Sequence, residues 1–344
     1  MELMEASVYV GDGRLEVHDV AIPEPGAGDV LIEIDHCGIC GTDLHFVLER
    51  IARPGSVLGH EWSGTIAALG DGVEGWRIGD RVVCAPTPGC GECRACVGGR
   101  PSVCLRRPPV DHLSFRGAFA RYVVAPAHQL VVIPSSLPSR AAALTEPTAV
   151  AMHAVTLSGV TSEDRVLVTG AGPVGLLVTA VLRARGVHDV TVSEPAPARR
   201  QRALAVGAAR AVMPDTLATP TMGSPVPEPF TVAFECSGRA AAAEAALDQL
   251  DFAGVCVLVG TGAEFPRLNH NRAIVLEVTI VGSYNYDAEG FEAALALLAS
   301  GAMPLDALIE PVDVFLDELA PTMERCAVGE LPGKVMVLPR RRQS

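Results

Sequence analysis

Four cysteines fall within fifteen residues as Cys90-x2-Cys93-x2-Cys96-x7-Cys104, interleaved with glycines at 89, 91, 98 and 99. Thiolates so spaced can close a tetrahedral shell around Zn²⁺, and the glycines allow the tight backbone path that this needs. An iron–sulfur cluster takes the same donors, and cysteines can also be neighbours in sequence only. A shell of four protein donors has no vacancy for substrate, so a metal held there is structural.

A second set is dispersed: Cys40 in Gly38-Ile39-Cys40-Gly41-Thr42-Asp43-Leu44-His45, His60 in Gly59-His60-Glu61, and Glu146 ahead of Pro147. One thiolate, one imidazole and one carboxylate leave a fourth position for water or substrate, the arrangement of a catalytic zinc. Taken singly, each also reads as a packing cysteine or a satisfied polar residue. Spacing alone leaves the two readings open.

The third element is Gly170-Ala171-Gly172-Pro173-Val174-Gly175, between the apolar run Val166–Thr169 and a helical run from Leu176 to Arg185. A Gly-x-Gly-x-x-Gly at a strand-to-helix turn lets backbone approach a pyrophosphate at the helix N-terminus. Nineteen residues after Gly175, the run Asp189–Val192 leads to Glu194, an acid placed for ribose hydroxyls. A carboxylate there repels a 2′-phosphate, which favours NAD over NADP. Arg199 and Arg200 follow and could hold a phosphate, or simply begin a solvated helix.

The elements that must position these groups fall into two textures. Up to about residue 130 the chain reads as short strands, Val30–Ile34, Ser63–Leu69, Asp80–Cys84 and Ala120–Val124, separated by turn residues, which suggests a compact β-rich body. From about Ala141, alanine-rich helical stretches alternate with the strands Arg165–Thr169, Asp189–Val192, Thr231–Phe234 and Val255–Val259. Such alternation gives a parallel sheet with right-handed crossovers. Five prolines and no periodicity between Met213 and Phe230 mark a surface loop. A helix over Phe291–Leu298 leads to a last strand, Lys334–Leu338.

At 344 residues, with 49% hydrophobic and 19% charged residues, the chain has globular composition and room for two domains. A net charge of −13 excludes the basic footprint of a nucleic-acid or anionic-lipid binder. Lys334 is the sole lysine among 27 basic residues, which reads as compositional bias. No apolar run spans a bilayer: the longest, Val166–Leu182, holds three glycines and a proline. The N-terminus is acidic where a signal peptide is basic, so a cytoplasmic protein is expected. Seven of the ten cysteines lie between Cys37 and Cys104, and in a reducing compartment such clustering points to metal rather than disulfides.

The Gly-x-x-Cys-Gly-Thr-Asp-x-His segment, Gly-His-Glu, the four-cysteine lobe and the glycine loop stand in the order seen in zinc-dependent medium-chain alcohol dehydrogenases. Glu146-Pro147, followed by Ala149-Val150-Ala151-Met152-His153, resembles the polyol and threonine dehydrogenase branch. The likeness runs on through Glu235-Cys236-Ser237-Gly238 to Gly333-Lys334-Val335. It implies an α/β protein. A GroES-like β-rich catalytic domain (1–150 and 290–344, with a structural zinc lobe at about 89–105) would accompany a Rossmann doubly wound parallel-sheet domain (151–289). It implies two zinc ions per chain: a catalytic one on Cys40, His60 and Glu146, with Glu61 as an alternative ligand, and a structural one on Cys90, Cys93, Cys96 and Cys104. Asp43 would orient His60. Cys37 makes a Cys-x-x-Cys with Cys40, but the family uses only the second position as ligand.

The activity implied is oxidation of a secondary alcohol to a ketone, or the reverse, by hydride transfer from a zinc-bound alkoxide to nicotinamide. Thr42 and His45 would relay the proton through the cofactor ribose. Gly260 is placed under the nicotinamide, and Lys334 is a candidate for the pyrophosphate. A homodimer or homotetramer is the oligomer the family implies. Only nineteen residues separate Cys40 from His60, fewer than in many polyol dehydrogenases, so no named substrate carries over. His112, Ser114 and Phe115 are candidates for the pocket lining. The rival readings are a primary-alcohol or aldehyde-directed dehydrogenase and a non-catalytic dinucleotide sensor; a zinc-free enone reductase is disfavoured by the Cys/His/Glu set.

Overall fold

A computed structural model of the chain describes residues 2–85, 89–106, 116–287 and 290–341. The chain forms two compact units: Met1–Glu146 with Asp287–Ser300 and Ile309–Ser344, and Pro147–Tyr286 with Gly301–Leu308.

The first unit is built on the ten-residue strand Asp29–Gly38, whose Val30, Ile32 and Ile34 are buried. It pairs antiparallel with Glu61–Leu69 on one side, and with Tyr122–Pro126 and Met336–Leu338 on the other. Arg81–Cys84 and Leu130–Val132 extend the sheet beyond Glu61–Leu69, and Val314–Phe315 closes the far edge. Ile66, Val82 and Phe119 pack onto the same apolar face. Each such side chain contributes about 1.5–3 kcal/mol by leaving water. Of the strands expected from sequence, Val30–Ile34 and Ser63–Leu69 lie within observed ones, while Asp80–Cys84 and Ala120–Val124 begin one and two residues ahead of Arg81–Cys84 and Tyr122–Pro126. The hairpin Leu3–Gly11 with Arg14–Ala21 is an addition, turned by Asp12 and Gly13 in left-handed conformations. So is the helix Gly41–Leu48, inserted directly after the longest strand.

In the second unit six parallel strands stand in the order Arg210–Val212, Asp189–Ser193, Arg165–Thr169, Phe230–Glu235, Leu250–Leu258, Thr279–Gly282. Counted along the chain this is 3-2-1-4-5-6, the doubly wound order whose direction reverses beside the first strand. The central strands are mostly apolar because both faces are covered there, and Val166, Leu167 and Val168 are fully buried. Helix Pro173–Ala184, for instance, is buried continuously from Gly175 to Leu182. The proline-rich stretch before Phe230 holds one short turn, Pro214–Thr216, and is otherwise irregular. Buried Arg272 secures it, donating to the carbonyls of Thr221 (2.6 Å) and Ser224 (2.7 Å) and to that of Asp248 (2.9 Å). No helix among the described residues is long and apolar enough to cross a membrane.

Candidate metal centres and dinucleotide loop

The four cysteine sulfurs of the lobe lie within 4.8 Å of one another. Cys93 and Cys96 are 3.5 Å apart, and Cys90–Cys96 and Cys93–Cys104 are each 4.0 Å apart. Four thiolates around one Zn²⁺ at about 2.3 Å stand roughly 3.8 Å from each other, so the donor set fits that ion. Backbone amides prepare it. Leu105 N–H donates to Cys93 Sγ (3.5 Å), and Cys90 and Arg106 N–H donate to Cys104 Sγ (both 3.4 Å). Hydrogen bonds from the amides of Cys96 and Leu105 lower the Cys93 thiol to about 6, and those of Cys90 and Arg106 lower Cys104.

The dispersed set is assembled by long-range pairing. Strand Asp29–Gly38 ends opposite Glu61, and two residues later Cys40 caps helix Gly41–Leu48. Asp43, in the first turn, is buried. Its Oδ2 accepts from Cys40 N–H (3.0 Å) and its Oδ1 from Gly59 N–H (3.2 Å), while Oδ1 stands 3.6 Å from His60 Nδ1. One carboxylate thus fastens the Cys40 turn to the His60 loop. One donor atom each from Cys40, His60 and Glu61 lie within 4.8 Å, a mixed S/N/O set suited to zinc. Burial alone would lower the His60 pKa, but Asp43 and Cys40 outweigh it and hold it well above its ordinary value.

Glu146 lies in the first turn of helix Thr145–Ser158 and stands outside that tight set. Burial pushes its carboxyl up to about 7, with His60 pulling it back and Glu61 adding to the rise. Thr42 is exposed on the first turn of helix Gly41–Leu48. His45, 39% exposed, meets Glu49 Oε1 through Nδ1 at 2.6 Å.

In the second unit, strand Arg165–Thr169 runs into Gly170 and helix Pro173–Ala184 follows, with Gly172 as its cap and Pro173 at its first position. Proline suits that place because its fixed φ is helical and no amide is needed there. A side chain on Gly175 would overlap the Gly170 carbonyl, whereas one on Gly172 would meet nothing within 4 Å. The turn is therefore held tight on one side and open on the other, the cradle a pyrophosphate needs at a helix N-terminus. Glu194 is 4% exposed: its Oε2 accepts from Ala171 N–H (2.8 Å) and its Oε1 from Ala196 N–H (2.9 Å). Arg200 Nη1 donates to the carbonyls of Glu194 and Pro195, both at 2.7 Å, and half-buried Arg199 precedes it in the first turn of helix Pro197–Ala205.

Gly260 N–H donates to Glu235 O at 2.9 Å. Glu235 itself has no role assigned from sequence. Its buried Oε1 accepts from Ser237 N–H (2.7 Å), Ser237 Oγ (2.6 Å) and Gly238 N–H (3.0 Å), shaping the turn after strand Phe230–Glu235. The available signal is an acid closing an apolar strand that pairs with Thr169.

Residues 26–135 match the alcohol dehydrogenase GroES-like domain and residues 173–300 match the zinc-binding dehydrogenase family. An L-threonine 3-dehydrogenase of Xanthomonas euvesicatoria pv. vesicatoria (strain 85-10) is 35% identical over 274 residues, covering 78% of this chain and 80% of that one. The chain belongs to the zinc-dependent medium-chain alcohol dehydrogenase family. It is an oxidoreductase acting on CH–OH groups with zinc and a nicotinamide cofactor. Among solved structures, a protein of Sinorhizobium meliloti 1021 described as a zinc-binding dehydrogenase and bound to NADP superposes with a TM-score of 0.86. It is 30% identical, over 98% of this chain and all of that one. A 2R,3R-butanediol dehydrogenase from Bacillus subtilis gives a TM-score of 0.85 at 29% identity, with 98% and 100% covered.

One expectation fails. Lys334 does not offer its ammonium to a pyrophosphate. It is 2% exposed, and Nζ donates to Glu61 Oε1 (2.7 Å), Glu61 Oε2 (2.5 Å) and Ile39 O (2.9 Å), which uses all three of its protons. Burial alone would lower this lysine's pKa, but Glu61 and Cys40 hold it above the usual range. His112, Ser114 and Phe115, expected at the pocket, lie outside the described residues.

Proposed function

We propose that this dehydrogenase oxidises a secondary alcohol to a ketone with NAD⁺, or runs the reaction in reverse, using a catalytic zinc held by Cys40, His60 and Glu146. The observation that carries the reading is the mixed donor set at Cys40 and His60, tied together by Asp43 and standing apart from the all-sulfur lobe. Zinc bound there supplies a Lewis acid that lowers the pKa of a coordinated alcohol. The second zinc belongs to Cys90, Cys93, Cys96 and Cys104 and acts on stability alone.

The chain's own groups do the rest. Thr42 and His45, one turn apart on helix Gly41–Leu48, carry the alcohol proton outward, imidazole being suited to proton exchange near neutrality. Gly170, Gly172, Pro173, Val174 and Gly175 seat the pyrophosphate, Gly260 lies against the nicotinamide half, and Glu194 accepts from the adenosine ribose. Preference for NAD is supported by the fixed Glu194 carboxylate, which would repel a 2′-phosphate. The secondary carbinol is supported by the relatives, since threonine at C3 and 2,3-butanediol both carry one.

Rates of NADH formation at 340 nm over amino alcohols, polyols and simple secondary and primary alcohols test the reading. Turnover confined to secondary carbinols, faster with NAD⁺ than NADP⁺, is expected. Preference for primary alcohols, or for NADP⁺, would overturn that part of it. A homodimer or homotetramer is part of the same proposal, and a monomer by gel filtration with light scattering would remove it.

A further inference from the structure

Three strands converge on one buried ion pair. Gly38, at the end of Asp29–Gly38, is opposite Glu61 on one side and Met336 on the other, and Ile39 N–H donates to Val335 O at 3.0 Å. This pairing delivers the Lys334 side chain to Glu61, 273 residues away in sequence. The space between them is reserved: a Cβ on Gly38 would overlap Glu61 Oε2 and lie 3.1 Å from Lys334 Cδ. Glu61 is 1% exposed and both its oxygens are taken by Nζ, yet a carboxylate oxygen remains within 4.8 Å of the Cys40 and His60 donor atoms. A metal at that centre and the Lys334 ammonium are therefore rival cations for one buried carboxylate.

We propose that Lys334 is a positioning residue that withholds Glu61 from the metal, keeping the centre one donor short so that substrate can bind. The inference rests on Cys40 and His60 holding the catalytic zinc. A buried carboxylate that loses its cationic partner is strongly disfavoured and takes whatever cation is in reach. Replacing Lys334 by a neutral residue leaves the metal as that cation. Glu61 then closes the vacant position and the centre becomes more anionic.

The test uses the full-length protein with Co²⁺ at this centre and zinc kept in the four-cysteine lobe. Visible absorption reads the donor set and the coordination number, and transfer of metal to a chelator reads retention. In Lys334→Met, the d–d bands should shift as the Glu61 carboxylate replaces the exchangeable fourth ligand, with an intensity that stays that of a fourfold site. Metal loss should slow by roughly 10–100-fold, the scale on which outer groups act on metal affinity. In Lys334→Met/Glu61→Gln the carboxylate is gone, so the spectrum should return to that of the unmodified protein, and Lys334→Arg should resemble it too. An unchanged spectrum in Lys334→Met, or a double variant that keeps the single variant's spectrum, overturns the proposal. Should Lys334→Met not fold, Glu61→Gln with Lys334 intact decides the matter: its spectrum should be unaltered, because the carboxylate was already withheld, and a changed spectrum refutes the withholding. The underlying reading is tested apart from this by Cys40→Ser. If that variant keeps both metals, the site assignment fails whatever Lys334 does.

Discussion

The four-cysteine lobe and the Cys40–His60–Glu61 centre are both metal-ready, and they are built in opposite ways. The lobe draws four like donors from one short stretch, already poised by amides that lower two of its thiols. The other centre gathers Cys40 from a helix cap and His60 from a loop, tied together by Asp43, with Glu61 from a strand start within reach but paired to Lys334. A local, homogeneous, closed shell does structural work. A long-range, mixed shell with a rival cation beside it can exchange a ligand, and only that kind can process substrate.

Breaking one cysteine in each place should separate the two most widely. Cys40→Ser is expected to cut kcat by roughly a thousandfold, several kcal/mol of barrier, while NADH binding measured by fluorescence stays near that of the unmodified enzyme. Retained turnover would collapse the contrast. Cys93→Ser should instead cost stability, about 3 kcal/mol and hence a thermal midpoint lower by roughly 6–12 °C, with the surviving folded molecules still active. Loss of activity without loss of stability would move catalytic work to the lobe.

Smaller effects sharpen the picture outside the metals. Glu194→Ala removes a buried charge and two amide acceptors, and the NAD-over-NADP ratio of kcat/KM should fall by roughly tenfold, about 1.4 kcal/mol. An unchanged ratio would assign selectivity elsewhere. His45→Gln should slow turnover by less than about tenfold, short of the roughly 10²–10⁴-fold of a directly acting acid or base, because His45 is exposed enough for water to substitute. A loss as large as that of Cys40→Ser would make it a principal catalytic group.

The same contrast explains which features are legible in the amino-acid sequence alone. The lobe and the glycine loop are local patterns: spacing gives the donors, and strand Arg165–Thr169, whose expected and observed bounds coincide, places the turn. The doubly wound order follows from alternating elements and handedness. The open centre is legible only through resemblance, since nothing in Cys40, His60 or Glu146 alone distinguishes a ligand from a packed polar residue. The role of Lys334 escapes the sequence because its partner is set by the antiparallel register among Asp29–Gly38, Glu61–Leu69 and Met336–Leu338, which no local pattern encodes. Its being the sole lysine is a signal, but compositional bias accounts for the same observation and hides it.

The most direct test of the central claim is a chelator time course in which zinc per chain and alcohol-dependent NADH formation are followed on the same sample. Two zincs per chain are expected at the start. Activity should fall in proportion to the first zinc lost, with the second retained in a protein whose circular dichroism is unchanged. Full turnover after that first zinc has gone, or activity that disappears only with the second, would contradict the assignment of catalysis to the Cys40–His60 centre.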